Sequence, residues 1–303
     1  MGVVGTGALG RHHARLLAQL PEVDFVGVFD RRPEVANAVA AEFGCRAWPN
    51  LEALADAAAA MVVAVPTVDH AAVACPLLAR GLEVLVEKPI AATLAEADRL
   101  LAAAAGRVLA VGHVEYFNPA VQALIAQRTP PRFVEVQRLG VFTPRSLDVD
   151  VVLDLMIHDI QILHALDGSP LAEVRATGIN VLSPRVDIAN ARLAFASGCV
   201  ANLTASRVSA EKVRRLRVFA PSRYFSLDYQ TQEIKGLQLV EQNGERRIVS
   251  ADIPAERAEP LRRELEAFVA ACRGEAVPLV DGRQGREALA TALRVGEAMA
   301  ATH

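Results

Sequence analysis

The 303-residue sequence lacks the features that mark several broad classes of protein. Lysine and arginine form no block, and 32 basic against 35 acidic side chains leave a formal charge of -3. A polyanion-binding surface is therefore not the expected function, and nucleic acid is not an expected partner. The longest apolar run, at 57–66, falls well short of the roughly 20 residues that cross a bilayer, so no membrane span is expected. No basic-then-apolar leader precedes the first predicted strand, which argues against secretion. Cysteine is scarce, and Cys45, Cys75, Cys199 and Cys272 lie far apart. No pair has metal-knuckle or redox-motif spacing, so all four read as small buried residues of a reducing, cytoplasmic compartment. Internal repeats and low-complexity linkers are missing too, although 57–60 and 102–105 are plain alanine tracts. What is present is 52% apolar and 22% charged residues, a composition that folds compactly. The length suits two domains.

Short apolar runs alternate with helix patterns over the first hundred or so residues. Strands are predicted at 2–4, 24–29, 60–65, 83–86 and 108–111, and helices at 9–20, 33–43, 69–79 and 94–105. Thr93 and Glu96 have capping-box spacing at the start of the last helix. Such alternation predicts an α/β, doubly wound parallel sheet of the Rossmann type. After about residue 115 the rhythm changes. A helix at 119–127 and a strand at 132–139 lead through an irregular stretch to a helix at 151–166. Strand runs follow at 174–182, 190–195, 200–205, 214–219, 224–228 and 236–240, with turn signals at Ser197-Gly198, Pro221-Ser222 and Asn243-Gly244. Helices at 260–273 and 282–301 close the chain. The expectation is a dinucleotide-binding domain over 1–115 and, over 116–303, an α+β domain with a large open, mostly antiparallel sheet.

The sharpest local motif is a phosphate cradle, Gly5-Thr6-Gly7-Ala8-Leu9-Gly10, set between a strand and an amphipathic helix. Its glycines serve a tight turn, close backbone approach to a pyrophosphate, and close helix–strand packing. The helix behind it offers unpaired N–H groups and a positive dipole end. About twenty residues on, Asp30 ends the second strand, where a carboxylate accepts hydrogen bonds from ribose hydroxyls and repels a 2′-phosphate. NAD is favoured over NADP on that ground. Arg31 and Arg32 pull the other way, as partners for adenine or for an extra phosphate. His12 and His13 read as packing or solvent-facing residues.

Two further constellations carry chemistry. Glu87, Lys88 and Pro89 fall at the carboxyl end of a buried strand, the edge where open parallel sheets bind ligands. Lys88 there is a cation able to hydrogen-bond a substrate oxygen; a solvated strand-end lysine is the alternative. In the predicted helix at 151–166, Asp154 and His158 are four apart and share a face. A carboxylate beside an imidazole raises its basicity and fixes its orientation, as general acid–base chemistry requires. Asp159 and His164 point elsewhere, so a metal site is not expected.

The motifs GTGALG (5–10), VPTVDH (65–70), EKP (87–89) and DLMIHDIQIL (154–163), with the closing EPLRRELEAF and DGRQGREAL, resemble the glucose–fructose oxidoreductase / inositol dehydrogenase (Gfo/Idh/MocA-type) NAD(P)-dependent oxidoreductases. The resemblance implies a cofactor-binding Rossmann domain, a sheet domain completing the substrate site, and a homo-dimer or homo-tetramer formed through the sheet's open face. It matches Lys88 to the family's active-site lysine and Asp154 with His158 to its D-x-x-x-H pair. Pro66, Thr67 and His70 match the loop bordering the nicotinamide ribose, and Glu87 the residue beside it. Many members have glycines before the Asp–His helix, whereas here the segment reads DVDVVLD. That variant, with GHVEYFNPA (112–120) and TPRSLDVD (143–150), is similar to members that oxidise the 3-hydroxyl of UDP-N-acetylglucosamine, whose 3-keto product is aminated on the route to amide-linked lipid A. Those members usually carry an arginine where this chain has Tyr116.

The resemblance thus implies oxidation of a ring secondary alcohol of a sugar or sugar nucleotide. His158 and Lys88 are both candidates for the base, and Asp154 orients the imidazole. His113, Tyr116, Asn118 and Arg145 are the substrate-side candidates, Arg145 as a bidentate partner for a diphosphate. A free sugar, inositol or other cyclic alcohol is the alternative substrate. A catalytically silent NAD-binding sensor is the alternative class, against which the intact Lys88, Asp154 and His158 set weighs.

Overall fold

The Val- and Ala-rich runs of the first 113 residues pair as a five-stranded parallel sheet in the computed structural model, which describes residues 1–143, 149–277 and 280–301. Its strands are β1 (Gly2–Val4), β2 (Gly27–Phe29), β3 (Ala60–Val63), β4 (Glu83–Glu87) and β5 (Leu109–Gly112), in the order β2-β1-β3-β4-β5. An isolated parallel bridge between Val28 and Ala47 extends the β2 edge; β1 pairs with β2 on one side and β3 on the other, so the order reverses between β1 and β3. Ligands bind at such a switch point, beyond the carboxyl ends of the strands. The crossover helices are α1 (Ala8–Leu17), α2 (Pro33–Phe43), α3 (Leu51–Ala57), α4 (His70–Ala79) and α5 (Leu94–Ala104). Thr93 and Glu96 close the expected capping box on α5. Helix α3 escaped the sequence reading because it is short; the Asn50 side chain starts it by accepting from the Ala53 N–H at 2.8 Å. Two predicted strands are shortened. The chain leaves β3 at Ala64, whose carbonyl is packed against the Gly5 turn, and residues 24–26 run up to β2 without joining its ladder.

The second unit covers residues 114–260 and 290 onward. It opens with α6 (Pro119–Ala126) and β6 (Phe133–Leu139); a π-helical turn, Val152–Met156, then runs into α7 (Ile157–Asp167), which stops at left-handed Gly168. The strands β7 (Leu171–Ile179), β8 (Ile188–Phe195), β9 (Val200–Ser206), β10 (Val213–Ala220), β11 (Arg223–Asp228), β12 (Glu233–Gln242) and β13 (Glu245–Ser250) complete an eight-stranded sheet. Their order is β13-β12-β11-β10-β6-β9-β8-β7, antiparallel except at β6–β9. Strand β13 was not predicted because its charged start, Glu245-Arg246-Arg247, breaks the apolar alternation; all six of its residues are exposed, as suits an edge. Strand β7 ends three residues earlier than expected. Its successors wrap around buried Asp187, whose carboxylate accepts the N–H groups of Val181, Leu182 and Ser183.

Helix α8 (Pro260–Cys272) and the first turns of α9 (Gly282–Ala300) belong to the first unit, which therefore comprises residues 1–113 and 261–289. Leu265 and Phe268 of α8 join Leu16, Leu17, Val28, Val62 and Leu85 in one buried cluster. The chain leaves the first unit after residue 113, and the return of 261–289 to it is a long-range pairing with no local signature. No helix among the described residues is long and apolar enough to cross a membrane.

Candidate active site

The cradle is built by the three expected glycines, each for a different reason. Gly5 sits at φ +82, and a Cβ there would lie 2.7 Å from the Ala64 carbonyl oxygen. A Cβ on Gly10 would lie 1.8 Å from the Gly5 oxygen, so α1 packs against the turn only because Gly10 has no side chain. At Gly7 a Cβ would meet nothing within 4 Å, because this is the open side of the cradle. Gly7, Ala8 and Leu9 are exposed there, and no side chain caps α1, so its first N–H groups face outward. Asp30 stands beside them at the end of β2. Its Oδ2 accepts from the Thr6 N–H at 2.8 Å and the Thr6 hydroxyl at 3.1 Å, and its Oδ1 from the Arg32 N–H at 3.0 Å. Burial pushes its pKa up, but these hydrogen bonds and the Arg32 charge outweigh that, so the carboxyl stays below its ordinary value and ionised. Arg31 is turned away to pair with Asp69 at 2.6 Å. An open row of N–H donors beside an ionised carboxylate fits the pyrophosphate and ribose of a dinucleotide, whose hydroxyls would compete with the long 3.5 Å contact from Arg32 Nε to Oδ1.

The ends of β3 and β4 are tied to one another. Pro66 and Thr67 begin a 3₁₀ turn, Thr67–Asp69, leading into α4. His70 is buried under that turn, with Nδ1 3.0 Å from the Pro89 carbonyl and Nε2 3.0 Å from the Val65 carbonyl. Burial lowers its pKa against the pull of both carbonyls; a neutral ring donates to one of the two and lies beside the other. Lys88, half-buried, follows β4 and joins Pro89 through a cis peptide bond. Its backbone N–H donates to Glu87 Oε2 at 3.2 Å. His113, after β5, is fully buried, and burial together with the Lys88 charge brings its pKa down to about 3.

In the second unit Asp150 starts the helix, its Oδ1 accepting the N–H groups of Val152 and Leu153 at 2.9 Å. Asp154 lies in the π-helical turn and His158 one residue into α7. The expected regular α-helical face therefore carries a widened turn between them, a feature that recurs at functional sites. Asp154 is half-buried and His158 is 9% exposed. Beside His158, Asp159 receives a bidentate pair from Arg138 of β6, Nε at 2.6 Å and Nη2 at 2.7 Å. The same guanidinium reaches Glu115 at 2.7 Å, and the Tyr229 hydroxyl donates to Asp159 at 3.0 Å. Two substrate-side candidates are buried in this unit. Asn118 caps α6, accepting from the Ala120 N–H at 3.0 Å and donating to the Tyr229 carbonyl at 2.9 Å; Tyr116 is buried edge-on against Phe117. Arg145 lies outside the described residues.

Comparison with known proteins bears on both units. Residues 1–113 match the family model "Oxidoreductase family, NAD-binding Rossmann fold", and residues 120–221 match "GFO/IDH/MocA C-terminal domain". The UDP-N-acetylglucosamine 3-dehydrogenase of Acidithiobacillus ferrooxidans is 39% identical over 99% of this chain and 97% of its own length. The chain belongs to the GFO/IDH/MocA oxidoreductase family. A solved structure of that A. ferrooxidans enzyme superposes with a TM-score of 0.93 at 38% identity, covering 99% of this chain and 97% of the other. Inositol 2-dehydrogenase of Rhizobium meliloti is 26% identical over 96% of this chain and 94% of its own. A complex of levoglucosan dehydrogenase with NADH and levoglucosan shares the fold, with a TM-score of 0.88 at 18% identity over 100% of this chain and 97% of that one.

For a GFO/IDH/MocA chain the first unit thus brings together Gly5–Gly10, Asp30, Pro66, Thr67, Glu87 and Lys88 around the switch point, with His70 and His113 beneath. Sequence reasoning missed two buried sets. His13, read as a packing or surface residue, is fully buried with Nε2 2.7 Å from Glu87 Oε1. Arg138 also went unnoticed, although it sits where the alternation Val134, Val136, Arg138 on β6 calls for an apolar core residue. That break in period was the available signal.

Proposed function

We propose that this GFO/IDH/MocA protein is an NAD-dependent dehydrogenase that oxidises the 3-hydroxyl of UDP-N-acetylglucosamine to the 3-keto sugar nucleotide. The observation that carries the reading is the near-full-length similarity to the A. ferrooxidans enzyme, at 39% identity. The reading is supported by the presence in the sequence of Lys88, Asp154 and His158, to which it assigns the chemistry. NAD rather than NADP is the cofactor, since an ionised Asp30 repels a 2′-phosphate.

NAD, when bound, supplies the acceptor for the hydride leaving the carbinol carbon. His158 takes the hydroxyl proton as that carbon is oxidised, and Asp154 orients the imidazole. The Lys88 ammonium donates a hydrogen bond to the same oxygen and stabilises the developing alkoxide. The Gly7–Gly10 N–H groups hold the pyrophosphate and Asp30 the ribose. The 3-keto product suits an aminotransferase as its consumer, on the route to amide-linked lipid A. We place the enzyme in the cytoplasm, where its four free cysteines remain thiols. We further propose that it works as a homo-oligomer.

The deciding experiment incubates purified protein with NAD and UDP-N-acetylglucosamine, with an aminotransferase present to draw off the ketone. Appearance of reduced-cofactor absorbance is the expected result. Absence of turnover there, with turnover on a panel of polyols or inositols, overturns the substrate assignment. Cofactor binding with no turnover on anything overturns the enzyme assignment.

A further inference from the structure

Behind Lys88 lies a cluster that the proposed reaction does not use. His13 of α1, Glu87 at the end of β4 and Glu264 of α8 are all buried, at 0%, 5% and 1% exposure. One ligating atom from each lies within 4.8 Å of the other two. His13 and Glu87 are bonded at 2.7 Å, and Glu87 Oε2 accepts the Lys88 N–H. Glu264 is different: both its carboxyl oxygens are shut from solvent and find no hydrogen-bond partner among the described residues.

We infer that Glu264 is a proton donor toward Glu87 and, through Glu87, a positioning residue for Lys88. Two buried carboxylates this close cannot both stay ionised without a cation, so one proton or one metal must lie among them. The geometry favours the proton. Two ligands on a tetrahedral zinc stand about 3.3 Å apart, given bonds of ~2.0–2.1 Å, whereas His13 and Glu87 approach to hydrogen-bond distance. Burial first, and the Glu87 charge second, raise the Glu264 pKa well above the ordinary carboxyl value. Glu264 and Glu87 bring carboxyl oxygens within 4.8 Å of each other, a separation that a direct approach or one bridging water would close. Glu87 thus holds His13 on one side and the acid on the other, and its remaining acceptor capacity fixes the peptide that carries Lys88.

This deepens the proposed reaction and rests on it for the role of Lys88, so the test pairs a readout that needs no substrate with one that does. Infrared difference spectra of the wild type against Glu264→Gln, without substrate at neutral pH, are expected to show the carbonyl stretch of a protonated carboxylic acid lost in the variant. In turnover, Glu264→Gln keeps a donor of the same shape and stays within about twofold of the wild type. Glu264→Leu removes the donor and lowers kcat by about ten- to hundredfold with the NAD Kd unchanged. Absence of the infrared band, wild-type kcat in Glu264→Leu, or one equivalent of metal in the purified protein that Glu264→Gln loses would each overturn the inference. An infrared band without turnover on any sugar instead strikes at the proposed function alone.

Discussion

Lys88 was legible because a lysine closing a buried strand stands at the ligand edge of a parallel sheet, and Asp30 because its spacing from the glycines places it at the end of β2. Replacing Lys88 or His158 with Ala is expected to lower turnover about a hundredfold or more with the NAD Kd near normal, checked by cofactor titration alongside steady-state kinetics. A full-rate His158→Ala enzyme would remove the imidazole from the mechanism. For the neighbouring candidates His113, Tyr116 and Asn118 the one-dimensional pattern gives residue type and order, and only the fold reveals their burial. For His113 that burial has a consequence for stability. Its folded pKa is down at about 3, below the ordinary value near 6.5 of the unfolded ring. Above pH ~6.5 the ring is neutral in both states and proton binding contributes nothing. As pH falls through that value the unfolded ring takes a proton that the folded ring refuses, and stability drops until the folded pKa is reached. Between pH 7 and pH 5 the loss from this group is about 2 kcal/mol. Urea denaturation at the two pH values should register it, and His113→Leu should flatten the difference.

Among the elements, α7 is the one whose placement matters most, since it carries His158. Its sequence pattern announced a helix, but not the π-helical turn at Val152–Met156, because a widened turn changes backbone pairing without changing composition. Nor could the pattern show what fixes the helix in place. Arg138 and Asp159 are 21 residues apart and meet only when α7 lies over β6. Burial costs the guanidinium, but Asp159 and Glu115 more than compensate and keep it charged. Such a pair adds little over an apolar substitute, yet removing one partner strands a buried charge at a cost of roughly 3–5 kcal/mol. Asp159→Ala should therefore lower the stability of the second unit by about that amount in chemical denaturation. It should also cut kcat, because the helix turn holding His158 loses its anchor. A variant as stable as the wild type would mean that α7 is held by apolar packing alone. The elements missed altogether, α3 and β13, are a seven-residue helix and a charged edge strand, too short or too polar for periodicity to register.

For the whole molecule, strand–helix alternation revealed the first sheet's parallel character and the turn spacing revealed the second sheet's antiparallel one. The return of residues 261–289 to the first unit had no such cue, because Leu265 and Phe268 look like any amphipathic pair until their partners are known. The second sheet also has a face that its own chain does not use for a core. Phe133, Phe219, Tyr224 and Leu237 stand directly opposite one another across β6, β10, β11 and β12, so they share one face. Phe219 lies 5.5 Å from Phe133 and 5.0 Å from Tyr224, and Phe219 and Leu237 remain 36% and 49% exposed. Leu239 and Ile248, paired on β12 and β13, continue the row, with Ile248 73% exposed. An aromatic and aliphatic row of this kind, on a face of an antiparallel sheet that otherwise meets water, is where the proposed association would bury apolar surface. If the protein assembles as proposed, light scattering after gel filtration should give a multiple of the 32.4 kDa chain mass. A double variant, Phe219→Asp with Leu237→Glu, places charge at the centre of that row and should shift the mass to that of a single chain. The far-ultraviolet spectrum should stay unchanged, because neither side chain belongs to the buried face of its strand. A monomeric wild type would show that the row does not join two copies. An oligomeric double variant would show that the copies meet elsewhere.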